Sequence, residues 1–249
     1  MHIAPPKVRD YDYALFGDVE HVPLTRVRQV VGERVTASWM TVPHVAQFDE
    51  VDLGAVEAER ERLRPEAAAA GVSLSVLPFV MKACAHALHA FPDFNASLDA
   101  SGSTLIRKKY CHIAFAADTP IGLLAPVIRN VDTLSPMQIA IEIDSLAKRA
   151  RSCTLSPADM EGACFTVSNL GALGGTGFIP IINAPEVGIL GVARAARRVV
   201  EEDGKFVSRT VLPLSLVYDH RVIDGAVGGR FLAAVREHLC PPAQPPKPA

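Results

Sequence analysis

Along the chain, stretches in which apolar residues recur every three to four positions alternate with short β-branched runs. The first spacing is that of a helix face and the second that of a strand. Val27, Val30, Val31, Val35 and Trp39 predict a helix over 25–41, and Val45 and Phe48 among polar neighbours predict a strand over 42–49. A charged, Ala-rich helix is expected over 52–70, and an apolar helix over 75–90 that stops at Phe91-Pro92. Strands follow at 103–107, 110–117 and 123–128, the last two flanking the turn Asp118-Thr119-Pro120-Ile121-Gly122. Ser135-Pro136 opens a helix over 135–152, with Ser at the N-cap and Pro at the first helical position. Strands at 164–169, 187–194 and 212–218 precede a last helix over 225–239. The expected class is α+β (α/β two-layer), a mixed β-sheet with flanking helices.

Composition adds limits to this picture. With 249 residues and 49% hydrophobic content, the chain can bury a sizeable core as one large domain or two small ones. Residues 1–15 read as a linker remnant, 16–239 as the folded domain, and 240–249, with five prolines, as a Pro-rich tail. A formal net charge of −2 gives no footing for nucleic acid as the main partner. No apolar run approaches the roughly 20 residues needed to span a bilayer. The start, Met1-His2-Ile3-Ala4-Pro5-Pro6, lacks the pattern of a signal peptide. The five cysteines (Cys84, Cys111, Cys153, Cys164 and Cys240) are odd in number and none are close in sequence. They suggest neither a disulfide framework nor a zinc site, and reduced thiols in a cytoplasmic protein are expected.

Three groups of residues bear on chemistry. In Asp219-His220-Arg221-Val222-Ile223-Asp224-Gly225 a histidine stands between a predicted strand and a predicted helix. Histidine exchanges a proton near neutral pH, and strand ends commonly carry sites. The ordinary alternative is a structural histidine in a turn, with Asp224 capping the next helix. In Phe165-Thr166-Val167-Ser168-Asn169-Leu170-Gly171 a strand ends on Ser168-Asn169 before a glycine-rich turn. The Ser168 hydroxyl can donate to a developing oxyanion, although Ser, Asn and Gly also end strands for purely local reasons. The glycine run Gly171 to Gly177 matches neither a phosphate loop nor a dinucleotide fingerprint. The basic clusters Arg107-Lys108-Lys109 and Lys148-Arg149-Ala150-Arg151 suit phosphates, or simply a solvated face.

Taken together, these segments resemble the catalytic core of the dihydrolipoyl acyltransferases, the central subunits of the 2-oxo-acid dehydrogenase complexes. The resemblance is carried by Pro23-Leu24-Thr25-Arg26, Val42-Pro43-His44-Val45, Phe91-Pro92-Asp93-Phe94-Asn95, Asp118-Thr119-Pro120, and the stretches 165–171, 180–185 and 218–225. Ile106-Arg107-Lys108-Lys109-Tyr110 and Asn183-Ala184-Pro185-Glu186-Val187 are most similar to the acetyl-transferring branch of pyruvate dehydrogenase. The resemblance implies a chloramphenicol-acetyltransferase-like, trimer-forming fold whose active sites lie between subunits. It implies His220 as general base on the thiol of coenzyme A, Ser168 as donor to the oxyanion, and Asp224 as the third member of the site, paired with Arg26. Arg26 and Asn169 are then structural support. Arg60 and Lys148 stand where phosphate contacts to coenzyme A are expected. Coenzyme A is a substrate, the lipoyl group comes from a domain absent from this chain, and no metal is required. Decarboxylase and dihydrolipoyl dehydrogenase components are the implied partners.

Two departures from the family pattern shape the expectations. No Asp-Lys-Ala lipoylation motif appears, and no upstream lipoyl or peripheral-subunit-binding domain is present. The last helix is expected to end near Leu239 and be followed by the Pro-rich tail, so assembly is expected to stop at the trimer. The competing readings are a succinyl or branched-chain acyl version of the enzyme, a non-catalytic scaffold core, and an acetyltransferase acting on a drug-like hydroxyl.

Overall fold

The structure, a computed structural model, describes residues 9–241; 1–8 of the expected linker remnant and 242–249 of the expected tail lie outside the described residues. Helix α1 (Arg26–Thr41) begins where the Thr25 hydroxyl accepts the Arg28 N–H. Strand β1 (His44–Asp52) hands over to α2 (Gly54–Ala69) through the Asp52 carboxylate, which accepts the Gly54 N–H at 2.6 Å. Helix α3 (Leu77–Ala90) is buried along most of its length and ends at Phe91. A small ladder, β2 (Ala96–Leu98) with β3 (Leu105–Arg107), follows. Next come β4 (Ile113–Phe115), β5 (Ala117–Thr119), β6 (Gly122–Leu124) and β7 (Val127–Ile128). Helix α4 (Pro136–Arg151) opens on a reciprocal cap: Ser135 accepts the Gln138 N–H while Gln138 accepts the Ser135 N–H. The chain finishes with β8 (Phe165–Asn169), β9 (Gly188–Val192), β10 (Ala196–Glu202), β11 (Lys205–Asp219) and α5 (Gly225–Leu239).

The main sheet has seven strands in the order β1-β11-β9-β8-β4-β7, with β10 pairing the first half of β11. Strands β4, β8 and β9 run parallel, whereas β11 is antiparallel to both β9 and β1. This is the mixed sheet expected from the pattern. Helix α3 packs against α4 and α5, and α5 lies on β1 and β11. The join is aromatic. Phe94 stacks on Phe231 of α5 at 4.0 Å and meets Phe165 of β8 and Tyr218 of β11 edge-on at 6.5 and 6.2 Å. All four rings are fully buried. Burial of each such side chain stabilises by roughly 1.5–3 kcal/mol. A Cβ on Gly188 would come within 3.1 Å of Phe94, so glycine is what lets β9 pass beneath the cluster.

Several boundaries differ from expectation for identifiable reasons. The strand expected over 212–218 extends back to Lys205 and pairs with β10, which the pattern did not reveal. That hairpin is exposed on both faces, so it lacks apolar alternation; its mark is Asp203-Gly204, both at positive φ, the backbone of a tight hairpin turn. The strands expected over 110–117 and 123–128 each break in two. At Ala116 the chain leaves β4, its N–H bonding Val167, and β5 pairs separately with β6. β1 continues to Asp52 because its ladder with β11 persists.

The contact of α3 with α5 also places His86 over His238, ring centroids 4.0 Å apart. Desolvation, then the neighbouring cations Lys82 and His89, lower the pKa of His86; desolvation, His86 and Lys82 lower that of His238. The folded chain therefore resists protons that the unfolded chain accepts below about pH 6.5. The contribution of this pair to stability is full above that pH and falls as pH drops below it. Between pH 7.5 and 5.5 the melting temperature of the wild type is expected to fall relative to that of His238→Gln; a difference that does not change with pH would contradict it.

Candidate active site

Strand β8 alternates between two faces. Phe165 and Val167 point into the helix-covered core, which leaves Thr166 and Ser168 on the opposite face. There they line a largely apolar cavity of about 380 Å³ with Val31 and Arg34 of α1 and with Phe178, Ile182 and Asn183. Ser168 is half-buried. Asn169 accepts the Gly171 N–H on its side-chain oxygen at 3.0 Å, which starts the glycine turn.

The far wall of this cavity, Pro180 to Glu186, is tied down at three points. Ser38 donates to the Ile182 carbonyl at 2.6 Å. His44 donates from Nδ1 to Val42 and accepts the Ile182 N–H on Nε2, which assigns it one neutral tautomer. Glu186 accepts from Thr166 at 2.6 Å and from Asn183 at 2.9 Å. It is only 4% exposed, and burial pushes its pKa up to about 7 against the opposing pull of Thr166, Asn183 and Lys108. His44 and Glu186 lie in runs that carry the resemblance, but the amino-acid pattern marks none of the three as an anchor. Ser38 and His44 look like surface polar residues, and Glu186 looks like one carboxylate among many.

His220 sits elsewhere. Its backbone N–H bonds Pro43, one residue past the end of the β1–β11 ladder, and its side chain is exposed. The turn it occupies is built on Asp219, 3% exposed, whose carboxylate accepts from the Arg221 backbone N–H, Nε and Nη2 at 2.6–3.2 Å. The same pairing raises the Arg221 pKa. Asp224 closes the turn as the N-cap of α5, accepting the Val227 N–H at 2.8 Å. The expected ion pair between Asp224 and Arg26 is therefore corrected: among the described residues no ion pair joins them, and Asp224 is engaged by its own helix. The pair that does hold the histidine turn, Asp219 with Arg221, was not foreseen.

Ser168 and His220 are not brought together within one chain. Ser168 is opposite Gly191 on β9, and Gly191 is opposite Ser215 on β11. His220 lies two strands across and five residues further along, which at about 4.8 Å per strand and 3.3 Å per residue is roughly 20 Å. Both end their strands at the carboxyl terminus, but the strands point in opposite directions. Arg60 and Lys148 are placed away from the cavity as well. Arg60 donates to the Leu74 carbonyl among Glu57, Glu61 and Arg64, and Lys148 pairs with Asp144 at 2.6 Å on α4. Neither lines the Ser168 cavity; the basic residue that does is Arg34. Among the described residues no group of three His, Cys, Asp or Glu side chains is placed to hold a metal ion, and no helix is long and apolar enough to cross a membrane.

A family model described as 2-oxoacid dehydrogenases acyltransferase (catalytic domain) matches residues 16–245. The dihydrolipoyllysine-residue acetyltransferase component of the pyruvate dehydrogenase complex from Pseudomonas aeruginosa is 53% identical over 94% of this chain and 43% of its own length. The corresponding component from Azotobacter vinelandii is 54% identical over 88% of this chain and 34% of its own length. The chain thus spans less than half the length of these curated relatives. Among solved structures, the Azotobacter vinelandii dihydrolipoamide acetyltransferase, investigated for the role of a serine, a histidine and an asparagine in its catalytic mechanism, matches at TM-score 0.91 and 52% identity, covering 94% of this chain and 96% of that one. The cubic core of a pyruvate dehydrogenase multienzyme complex matches with the same score, identity and coverage, 0.91, 52%, 94% and 96%. Chloramphenicol acetyltransferase matches at TM-score 0.52 and 16% identity over 83% of this chain and 94% of that one, a likeness of fold alone.

Behind the histidine turn, α5 approaches β11 so closely that a Cβ on Gly228 would lie 2.6 Å from the Tyr218 ring and 2.9 Å from Gln47. Overpacking against a buried ring costs about 1–3 kcal/mol, while alanine returns up to about 1 kcal/mol of helix propensity. Gly228→Ala is expected to lose about 1–2 kcal/mol net, read as a lower denaturant midpoint. An unchanged midpoint would show that α5 shifts freely at this contact.

Proposed function

The chain belongs to the 2-oxoacid dehydrogenase acyltransferase (catalytic domain) family, and on that premise we propose that it moves an acetyl group between a dihydrolipoyl thiol and coenzyme A as the core of a pyruvate dehydrogenase complex. One observation carries the reading. The serine and histidine investigated in the Azotobacter relative are separated by the same interval as Ser168 and His220, and its asparagine follows the histidine by four residues, where this chain has Asp224.

His220 takes the proton from the thiol of coenzyme A, which with a pKa of about 8.5 is mostly protonated at neutral pH. The sulfur attacks the carbonyl carbon of the S-acetyl dihydrolipoyl group. Ser168 donates a hydrogen bond to the oxyanion of the tetrahedral intermediate. The bond from that carbon to the lipoyl sulfur then breaks, and His220 returns its proton to the leaving thiolate. No acyl-enzyme and no metal enter the scheme. Asp224 acts through the backbone: by capping α5 it sets where the histidine turn ends.

Since Ser168 and His220 lie roughly 20 Å apart in one chain, each site takes its serine from one subunit and its histidine from another. The smallest active unit is a homotrimer. Decarboxylase and dihydrolipoyl dehydrogenase components, a lipoyl domain outside this chain and a cytoplasmic setting belong to the same reading. Phosphate contacts at Arg60 and Lys148 gain no support from their positions, since Arg60 donates to the Leu74 carbonyl and Lys148 pairs with Asp144.

Acyl transfer from acetyl-, succinyl- and branched acyl-coenzyme A to dihydrolipoamide tests the reading, with acetyl expected to be preferred. Ser168→Ala is expected to lower kcat about a hundred- to a thousandfold, and His220→Ala about a hundred- to ten-thousandfold. Near-normal turnover in His220→Ala would overturn the mechanism. Co-expressed His220→Ala and Ser168→Ala chains should regain part of the lost activity, because some sites then hold both intact side chains; no recovery would place the pair within one chain. Light scattering is expected to give a number of chains per particle that is a multiple of three, and an active monomer or dimer would overturn the shared site.

A further inference from the structure

The buried carboxylate of Glu186 belongs to none of these roles, yet two of its hydrogen-bond partners form the wall of the Ser168 cavity. We propose that Glu186 is a positioning residue of that cavity, setting through Thr166 and Asn183 which hydrogen-bonding groups the pocket presents to an acyl thioester. The proposal rests on reading the Ser168 cavity as the acyl site.

The geometry is direct. Glu186 Oε2 accepts from the Thr166 hydroxyl and Oε1 accepts from the Asn183 amide, at 2.6 and 2.9 Å. Thr166 and Asn183 line the cavity; Glu186 does not. Thr166 is also two residues before Ser168 on the same strand, hence on the same face. The charged and titratable groups facing Glu186 are Lys108 and Cys164. Lys108 Nζ is committed to the carbonyls of Ala96 and Ala163, at 3.4 and 3.3 Å, and no ion pair joins it to Glu186 among the described residues. Cys164 is held neutral, its pKa raised by burial. A carboxylate taken out of water with no ion partner is costly unless neutral hydrogen bonds compensate it, and here the compensating groups are those of the pocket wall.

The two protonation states of Glu186 ask different things of Thr166. When Glu186 is ionised, its oxygen can only accept, so the Thr166 O–H must point at it and away from the cavity. When Glu186 is protonated, its own O–H can donate to Thr166 Oγ1, and the threonine hydroxyl proton is released toward the cavity. With burial lifting the Glu186 pKa to about 7, both states are reached within the working pH range. A carboxylate that only braced the 180–186 wall would leave the pocket's hydrogen bonding indifferent to pH.

The test compares wild type, Glu186→Gln and Thr166→Val between pH 6 and 8.5, following kcat and KM for acetyl-coenzyme A with dihydrolipoamide. Glutamine keeps the size of the side chain and mimics the protonated pattern, since its amide N–H can donate to Thr166. In wild type KM is expected to change by about fivefold across pH 7, the worth of one hydrogen bond, and to change more than kcat. Both variants should lose this change, while the limb owed to the general base is common to all three proteins. Thr166→Val carries the test if Glu186→Gln fails to fold. A wild-type KM–pH profile preserved in either variant would overturn the proposal. A wild-type trimer without transferase activity would overturn it together with the function on which it rests; an active enzyme with a pH-independent KM would overturn this proposal alone.

Discussion

Between β9 and β11 the main-chain ladder is antiparallel, whereas β8 and β9 run together. That single reversal governs where Ser168 and His220, the pair of the proposed mechanism, lie. Ser168 and His220 both end a strand at its carboxyl terminus, yet the reversal sends those termini to opposite edges of the sheet. No rotamer change recovers roughly 20 Å; an Arg side chain, the longest available, reaches less than half as far. Each half of the proposed site is therefore built to stand alone. The serine half has its own cavity, walled by α1 and the 180–186 segment. The histidine half has its own turn, locked by Asp219 and closed by Asp224.

Both halves rely on burying a carboxylate, with different solutions. Asp219 meets a guanidinium that is itself partly exposed, so the charge is paired and the arginine remains half in water. Such a pair holds a loop in one shape. Glu186 meets only a hydroxyl and an amide. Two neutral donors offset less of the desolvation than a guanidinium does, which is why burial dominates and the carboxyl sits near neutrality. The carboxylate paired with a guanidinium lies under the histidine turn, and the one held by neutral donors lies behind the serine cavity.

Local signals made much of this legible. The helix α4 could be read because Ser135, Pro136 and Gln138 act on one another within a single turn. His220 and Ser168 could be read as strand-end residues because the apolar runs before them are short and bounded. The hairpin of β10 with β11 could not, since Val199 and Phe206 are exposed and only Asp203-Gly204 marks the turn. The separation of Ser168 from His220 depends on which strands pair and in which direction, a property of residues far apart in the chain. Asp224 was read with Arg26 from resemblance, although its partner is the N–H three residues on. Glu186 stood in a recognised run, Asn183 to Val187, but its burial follows from Thr166 arriving from another strand.

The exposed surface bears on the same division of labour. Residues 9–25 contain no buried side chain, yet Tyr13, Leu15, Phe16, Val22 and Leu24 are all more than half exposed. Trp39 on α1 and Phe48 on β1 are 60% and 61% exposed. Single exposed apolar residues are ordinary, but an extended segment of them with no packing of its own has no reason to hold its shape in water. A contact with another subunit of the proposed trimer would supply that reason and remove the apolar area from solvent. The two arguments are independent: one is about where catalytic groups can reach, the other about where apolar surface can be stable. On the proposed function both lead to the same conclusion, that an isolated chain has a folded core but only half of the proposed site, so that activity and assembly are expected to rise and fall together.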